Sequence, residues 1–505
     1  MAVFKHIRII AAALLCSACF NLDEHVYSDI PMDKFFTNEA EVVSNAARAY
    51  MKLQGYCGEQ SLWTLLLQAS DECAIKWYSN GRYEQIQINE IPPTNKLVRL
   101  GWEWVFNSIS ACNEVIYETE STDIEFEGKA KVISEIKLLR AYLYYCGMSN
   151  WGNIPFCIDY TMKDYPKQKD RAFMYNFLID EIKANIGNLD SEPSAANYGR
   201  FTQAAAWTLL AKLYINSDAW FEQPEWEKAL DACNHVISSG KYIIEDKYDT
   251  NFDIDNDKSK ENIFSIIYDR VYTSGEQSSF YLHVLTLEAE SKATFNIPYD
   301  PWSGFICQPD FFQLYQDCDK RKDATWLYGD QYDINGEPLG FAYEPVFDES
   351  QYFFSNGGPG KFQGARCWKW HFQTDGSLSE YTISQDNDFA LFRYADVVLM
   401  YVECLLRLNR KEEAIVLDDF KKIRTRAGLA PYTAEELTLD ELYNERGREL
   451  AWEGIRHEDM IRYGKYLGKY WAHEAQDEKF RLLFPIPVEA INSNKNLEQN
   501  PGYVK

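Results

Sequence analysis

Histidine is scarce and cysteine is scattered, and each scarcity closes off a chemistry. Seven histidines stand at 6, 25, 235, 283, 371, 457 and 473 of 505 residues. None forms His-Glu-x-x-His, so the helix-borne zinc site of a metalloprotease is not expected. The ten cysteines after Cys19 include no Cys-x-x-Cys pair and no histidine at zinc spacing, which argues against a metal ribbon. Positive charge is short as well: 51 Lys and Arg face 77 Asp and Glu, a net charge of -26. Such a chain repels phosphate backbones and anionic headgroups, so no nucleic acid is expected as a partner. Beyond the first residues no segment approaches 18 uninterrupted apolar positions, the minimum for a spanning helix. Ser355-Asn356-Gly357-Gly358-Pro359-Gly360-Lys361-Phe362 lacks the first Gly and the hydroxyl residue of a phosphate loop. Asp253-Ile254-Asp255-Asn256-Asp257 opens like a calcium loop, but Lys258 and Phe264 occupy the Gly and closing Glu positions. No metal and no cofactor are expected.

What is abundant is aromatic: 29 Phe, 14 Trp and 34 Tyr, 15% of the chain, more than a core alone usually needs. The chain opens with Lys5 and Arg8 and then runs apolar from Ile9 to Leu15, the pattern of a secretory leader. Leu15-Cys16-Ser17-Ala18-Cys19 is similar to a bacterial lipobox, although Cys16 stands where Leu is usual. The expectation is a leader over 1–18 and a lipidated Cys19, which would tether the body to a membrane through lipid alone.

The body reads as helical. Asn38 with Glu41 predicts a capping box, followed by a stripe of Val42, Ala46, Ala49, Tyr50 and Leu53. Helices are predicted over about 101–118, 129–148, 175–189, 202–215 and 226–238, then again over 392–408, 411–426, 439–453 and 457–463. Ala206, Leu210, Ala211 and Tyr214 followed by Trp226, Ala229, Ala232 and Val236 resemble a tetratricopeptide pair, in which small residues let two helices approach. The predicted fold class is all-α, a tetratricopeptide-like helical superhelix with a long irregular, loop-rich insertion. A single domain over 19–505 is expected: a helical core at about 36–240 and 386–465, the insertion at about 241–385, and an extended segment over 466–505. So long a loop-rich segment is usually functional.

Ordered phrases along nearly the whole chain then become recognisable. They include Leu22-Asp23-Glu24 after Cys19, Asn45-Ala46-Ala47-Arg48-Ala49-Tyr50, and Glu135 to Tyr142 leading into Trp151-Gly152-Asn153-Ile154-Pro155. Further on stand Arg200-Phe201-Thr202, Glu261 to Ser265, Phe392 to Val397, Arg424 to Leu429 and Glu445 to Leu450. Glu453 to Asp459, Phe484-Pro485-Ile486-Pro487 and Gln499 to Tyr503 complete the set. Together these resemble the SusD-like (RagB/SusD) family of outer-membrane nutrient-binding lipoproteins of Bacteroidetes-type bacteria. The resemblance implies a non-enzymatic protein, lipid-anchored on the outer face of the outer membrane. There it would capture oligosaccharide or polysaccharide for a SusC-like TonB-dependent transporter in a polysaccharide utilisation system. Asp23 and Glu24 resemble the acidic tag that directs such lipoproteins outward. Arg140, Arg393, Arg446 and Arg456 read as architectural ion-pair residues.

A sugar ring presents C–H faces that lie against Trp or Tyr while a few polar groups fix its hydroxyls. Trp104, Trp207, Trp226 and Trp452 fall in helical pattern and are predicted to be core; Trp151 belongs to a structural turn. Trp77, Trp220, Trp302, Trp326, Trp368 and Trp370 lie in irregular sequence. The predicted platform is Trp77, Trp302 and one of Trp368 or Trp370, with Tyr78 and Tyr83 beside it and Asp71 and Arg366 as polar clamps. Two rivals share these residues: a glycosidase, which needs only two carboxylates at a set separation, and a protein of the same fold binding peptides or another nutrient.

Overall fold

A computed structural model describes residues 36–77, 81–273, 279–352, 360–379, 383–471 and 473–504. The first helix, α1 (Glu39–Met51), begins where Asn38 accepts the Glu41 N–H. The Glu41 carboxylate turns back to the Thr37 N–H at 2.7 Å, so the return half of the capping box falls one residue earlier than predicted. There follow α2 (Leu62–Gln68), the strand β1 (Cys73–Ile75), α3 (Lys96–Ser121) and α4 (Lys129–Trp151). Asp170 caps α5 (Arg171–Asn185) and Thr202 caps α6 (Gln203–Phe221), each side chain accepting a first-turn N–H. The next helix is α7 (Trp226–Ile237). Consecutive helices from α3 to α7 pack on one another. At α6 and α7 the seam is built from the small buried residues Ala206, Ala211, Ala229, Ala232 and Cys233.

Between α7 and residue 388 the elements are short. They include β2 (Asn262–Ile266), β3 (Phe305–Cys307), β4 (Trp326–Leu327), β5 (Gly329–Tyr332), β6 (Pro338–Tyr343) and β7 (Arg366–Cys367). Helices there are short, such as Leu282–Thr286 and Lys320–Thr325, and longer ones resume after β8 (Phe389–Arg393), with α8 (Tyr394–Arg407), α9 (Asp418–Arg426), α10 (Leu439–Glu449) and α11 (Arg456–Arg462). Phe392 and Arg393, predicted to open a helix, instead lie in β8, which pairs antiparallel with β2. The helix predicted over 411–426 is divided: a short turn covers Lys411–Ala414 and α9 starts at Asp418. The last segment is anchored by side chains: Asn500 donates to the Trp151 and Phe484 carbonyls, both at 2.9 Å.

The pairing of β2 with β8 aims Arg393 into a buried lattice of charge. Arg393 meets Glu261, Glu449 and Glu453; Arg426 meets Glu261 and Glu449; Arg321 meets Asp319, Glu445 and Glu449. Arg446 holds Asp396 and Asp459 at 2.8 and 2.7 Å. Arg140 pairs with Glu181 at 2.7 Å, and Arg456 with Asp71 at 2.7 Å. Burial raises the Glu261 carboxyl, yet the Arg426 and Arg393 guanidiniums outweigh it and hold it down at about 2.

Candidate functional site

The residues singled out from sequence divide between one open ledge and its supports. Trp302 keeps the most open indole of the group, 37% exposed, and meets Tyr281 edge-on with ring centroids 5.7 Å apart. The Trp302 carbonyl accepts the Trp77 indole N–H at 3.0 Å. Trp77 is half-buried and lies flat against Gly304, where an added Cβ would stand 2.3 Å from the ring. Only glycine lets that indole rest on the backbone. Ser303 just before it sits in the left-handed region at φ 55°. The two indoles are brought together by the ribbon of β1 and β3, which the Lys76 N–H extends by donating to the Gly304 carbonyl at 2.8 Å.

Behind the ledge stands Glu288, almost wholly buried. It accepts from Lys76 Nζ at 2.7 Å, from Arg366 Nη2 at 2.9 Å and from the Ser303 hydroxyl. Burial and the neighbouring Arg366 guanidinium push the Lys76 ammonium down to about 8, against the pull of Glu288. Arg366 is fully buried over the Tyr343 ring at 4.5 Å. It therefore braces the ledge from within instead of clamping a ligand, because no part of it reaches the surface.

Tyr83 is likewise enclosed; its hydroxyl donates to the Glu59 carboxylate at 2.8 Å and its ring backs Trp77. Trp370 is a correction. It is 3% exposed, stacked on Phe389 at 5.4 Å and edged by Phe252 and Phe280, so it offers no face to a sugar. Trp326, 2% exposed, is core too. Trp368 is half-buried in a separate cluster with Phe295 and His371, its indole N–H donating to the Asp323 carbonyl at 3.2 Å. Asp71 faces a different hollow of about 320 Å³ lined by Asp440, Tyr443, Lys465 and Tyr470. There its carboxylate is held by both Arg456 and the Tyr443 hydroxyl. Tyr78 and Cys19 lie outside the described residues.

Tyr281 links the ledge to a cleft of about 600 Å³ between the end of α1, the turn at 57–61 and α3. Its lining includes Glu59, Gln60, Lys96, Glu103, Trp104 and Asn107. Trp104, predicted to be core, is half-buried here, its indole N–H donating to the Lys52 carbonyl at 2.9 Å. The signal was present in the helical phase: Trp102, Val105, Ile109, Cys112 and Ile116 form the buried stripe of α3, and Trp104 falls off it. Aromatic edges, carboxylates, amides and an ammonium within one concavity suit a polyhydroxylated ligand. Among the described residues no group of three His, Cys, Asp or Glu could hold a metal ion.

Comparison with known proteins agrees with this architecture. The family model described as the SusD family matches residues 260–503. Starch-binding protein SusD of Bacteroides thetaiotaomicron is 28% identical over 485 residues, 86% of this chain and 84% of that protein. A SusD-like protein of Bacteroides ovatus is 22% identical, over 92% of this chain and 83% of that protein. Among solved structures, a laminarin-binding SusD-like protein superposes with a TM-score of 0.74 at 20% identity, covering 93% of this chain and 100% of the other. Surface glycan-binding protein A from Bacteroides thetaiotaomicron, in complex with laminarihexaose, gives 0.74 at 19% identity, over 92% and 100%. The ordered motifs, the helical frame with its short-stranded middle and these likenesses converge: residues 260–503 match the SusD family, and the chain as a whole is similar to SusD-like proteins.

Proposed function

We propose that the protein binds oligosaccharide or polysaccharide at the cell surface and passes it on without cutting it. The observation that carries this reading is the open Trp302 ring, set by Trp77 and Gly304 beside a polar cleft of about 600 Å³. Flat rings next to hydrogen-bonding groups of both kinds match the alternating C–H and hydroxyl faces of a sugar. Relatives named for starch, laminarin and surface-glycan binding support the same ligand class. In the fuller reading Cys19 carries lipid, the protein sits on the outer face of the outer membrane, and a SusC-like TonB-dependent transporter receives the cargo.

Titration calorimetry with soluble starch- and laminarin-derived oligosaccharides tests the ligand class. Saturable binding with no release of shorter products is expected. A folded protein that binds no member of a broad glycan array, yet captures peptides, overturns it. For the anchor, Cys19→Ala is expected to move the protein from the membrane fraction to the soluble one.

A further inference from the structure

The ribbon that positions the two indoles carries a thiol on each strand, and the register sets those thiols face to face. Cys73 of β1 is the direct antiparallel partner of Cys307 of β3. The Lys76 N–H to Gly304 carbonyl bond marks that pair as hydrogen-bonded, so by alternation Ala74 and Ile306 are hydrogen-bonded and Cys73 and Cys307 are not. Two independent bonds agree. The Cys307 N–H turns away to the Ala365 carbonyl at 2.9 Å, and the Cys73 carbonyl accepts from the Gln308 side chain at 2.8 Å. Residues opposed in this way stand about 4.5 Å apart at Cα, inside the roughly 4.4–6.8 Å that a disulfide accepts. Both side chains point into the main core with Ile75 and Phe305, whereas Ala74 and Ile306 join a different cluster. A third thiol, Cys367 of β7, lies in the same core, and β7 packs on β3.

We infer that Cys73 and Cys307 are joined by a disulfide in the exported protein, a covalent clasp at the root of the Trp77–Trp302 ledge. Both thiols are wholly buried in the reduced fold described here. Burial pushes each well above the ordinary thiol range, so little thiolate is available once the core has closed. The bond must therefore form while the chain is folding. Each thiol gives up one proton and one electron, one S–S bond forms, and a disulfide-bearing oxidant of the cell envelope is reduced to its dithiol. The clasp ties the N-terminal helical part to the short-stranded middle of the chain. It requires export but no glycan, so its fate is independent of the ligand reading.

The full chain, isolated from cell envelopes with an alkylating agent present from lysis onward, is denatured and digested without reductant. A cross-linked peptide pair containing Cys73 and Cys307 is expected, replaced after reduction by the two separate alkylated peptides. Recovery of both cysteines alkylated before any reductant is added overturns the proposal, and so does Cys307 linked to Cys367. Refolding of the reduced, denatured full chain in a glutathione redox buffer supplies a second reading. Accumulation of the same pair during refolding supports the geometry, and its absence from the refolded protein overturns it.

Discussion

Two regions of this molecule look alike in sequence and behave oppositely. Both combine aromatics with charge. Around Arg393, Arg426, Arg446 and Arg321 the charges are sealed in the core and paired with Glu261, Glu445, Glu449, Glu453 and Asp459. Around Trp302 the charge is behind the surface, in Lys76, Glu288 and Arg366, and the aromatic face is left open. The residues most legible as motif thus hold the frame, while the surface fit for a ligand is built from residues outside those motifs. Buried ion pairs contribute little net stability over apolar replacements, but removing one partner strands the others in a low dielectric.

The contrast is broken most forcefully in the lattice. Arg393→Ala leaves Glu261, Glu449 and Glu453 short of a partner and is expected to cost about 3–5 kcal/mol in urea unfolding. Trp370→Ala should cost a similar 3–5 kcal/mol through the cavity left beside Phe389. In both variants the protein that remains folded keeps its glycan affinity; a selective loss of affinity at unchanged stability would reverse the assignment of Trp370 to the core.

Trp302→Ala is the mirror image. Calorimetry is expected to show glycan affinity reduced by roughly 1–3 kcal/mol, with the thermal midpoint nearly unmoved. Gly304→Ala sharpens the comparison, because its Cβ must displace the Trp77 indole. Both affinity and stability should fall, the latter by about 1–3 kcal/mol as in other overpacked sites.

The smallest expected effect concerns pH. Glu261 is held at about 2, below its ordinary 4.5, so its contribution is present above pH 4.5 and is lost as pH falls towards 2. Glu72 runs the other way. Burial raises it to about 8 despite the Trp452 N–H that it accepts at 2.8 Å, and its Oε1 has no hydrogen-bond partner among the described residues. Stability linked to Glu72 is therefore present below pH 4.5 and is lost as pH rises towards 8. Glu72→Gln keeps an acceptor for Trp452 and should raise stability at pH 8, with no gain at pH 4. A gain equal at both pH values would show that the carboxyl is not the cause.

Much of the frame was legible because helices announce themselves locally. The stripe of Val42, Ala46 and Ala49 and the caps at Asn38 and Thr202 are written within one or two turns of chain. Arg393 was misplaced in a helix because the pairing of β8 with β2 joins residues some 130 positions apart, and no local period reveals it. For the same reason irregular sequence around Trp326 and Trp370 suggested exposure, although distant partners bury both. Trp77 and Trp302 stand out separately in the sequence, which does not show that Gly304 lets one indole lie on the other's strand. Asp71 and Arg366 look from sequence like polar clamps for a ligand, but their partners, Arg456 and Glu288, come from elsewhere in the chain.

The bond from the Trp452 N–H to Glu72 and that from the Trp63 indole to the Trp452 carbonyl span 380 and 389 residues. Glu72 immediately precedes the strand that leads to Trp77. Contacts so distant along the chain must absorb their loop-closure entropy before they reward the fold, which slows folding. A nascent chain, or a fragment ending before residue 452, should carry formed helices but an unfinished binding face. The recognition surface is accordingly expected to mature last, at a rate set by the slowest long-range closure and not by helix growth.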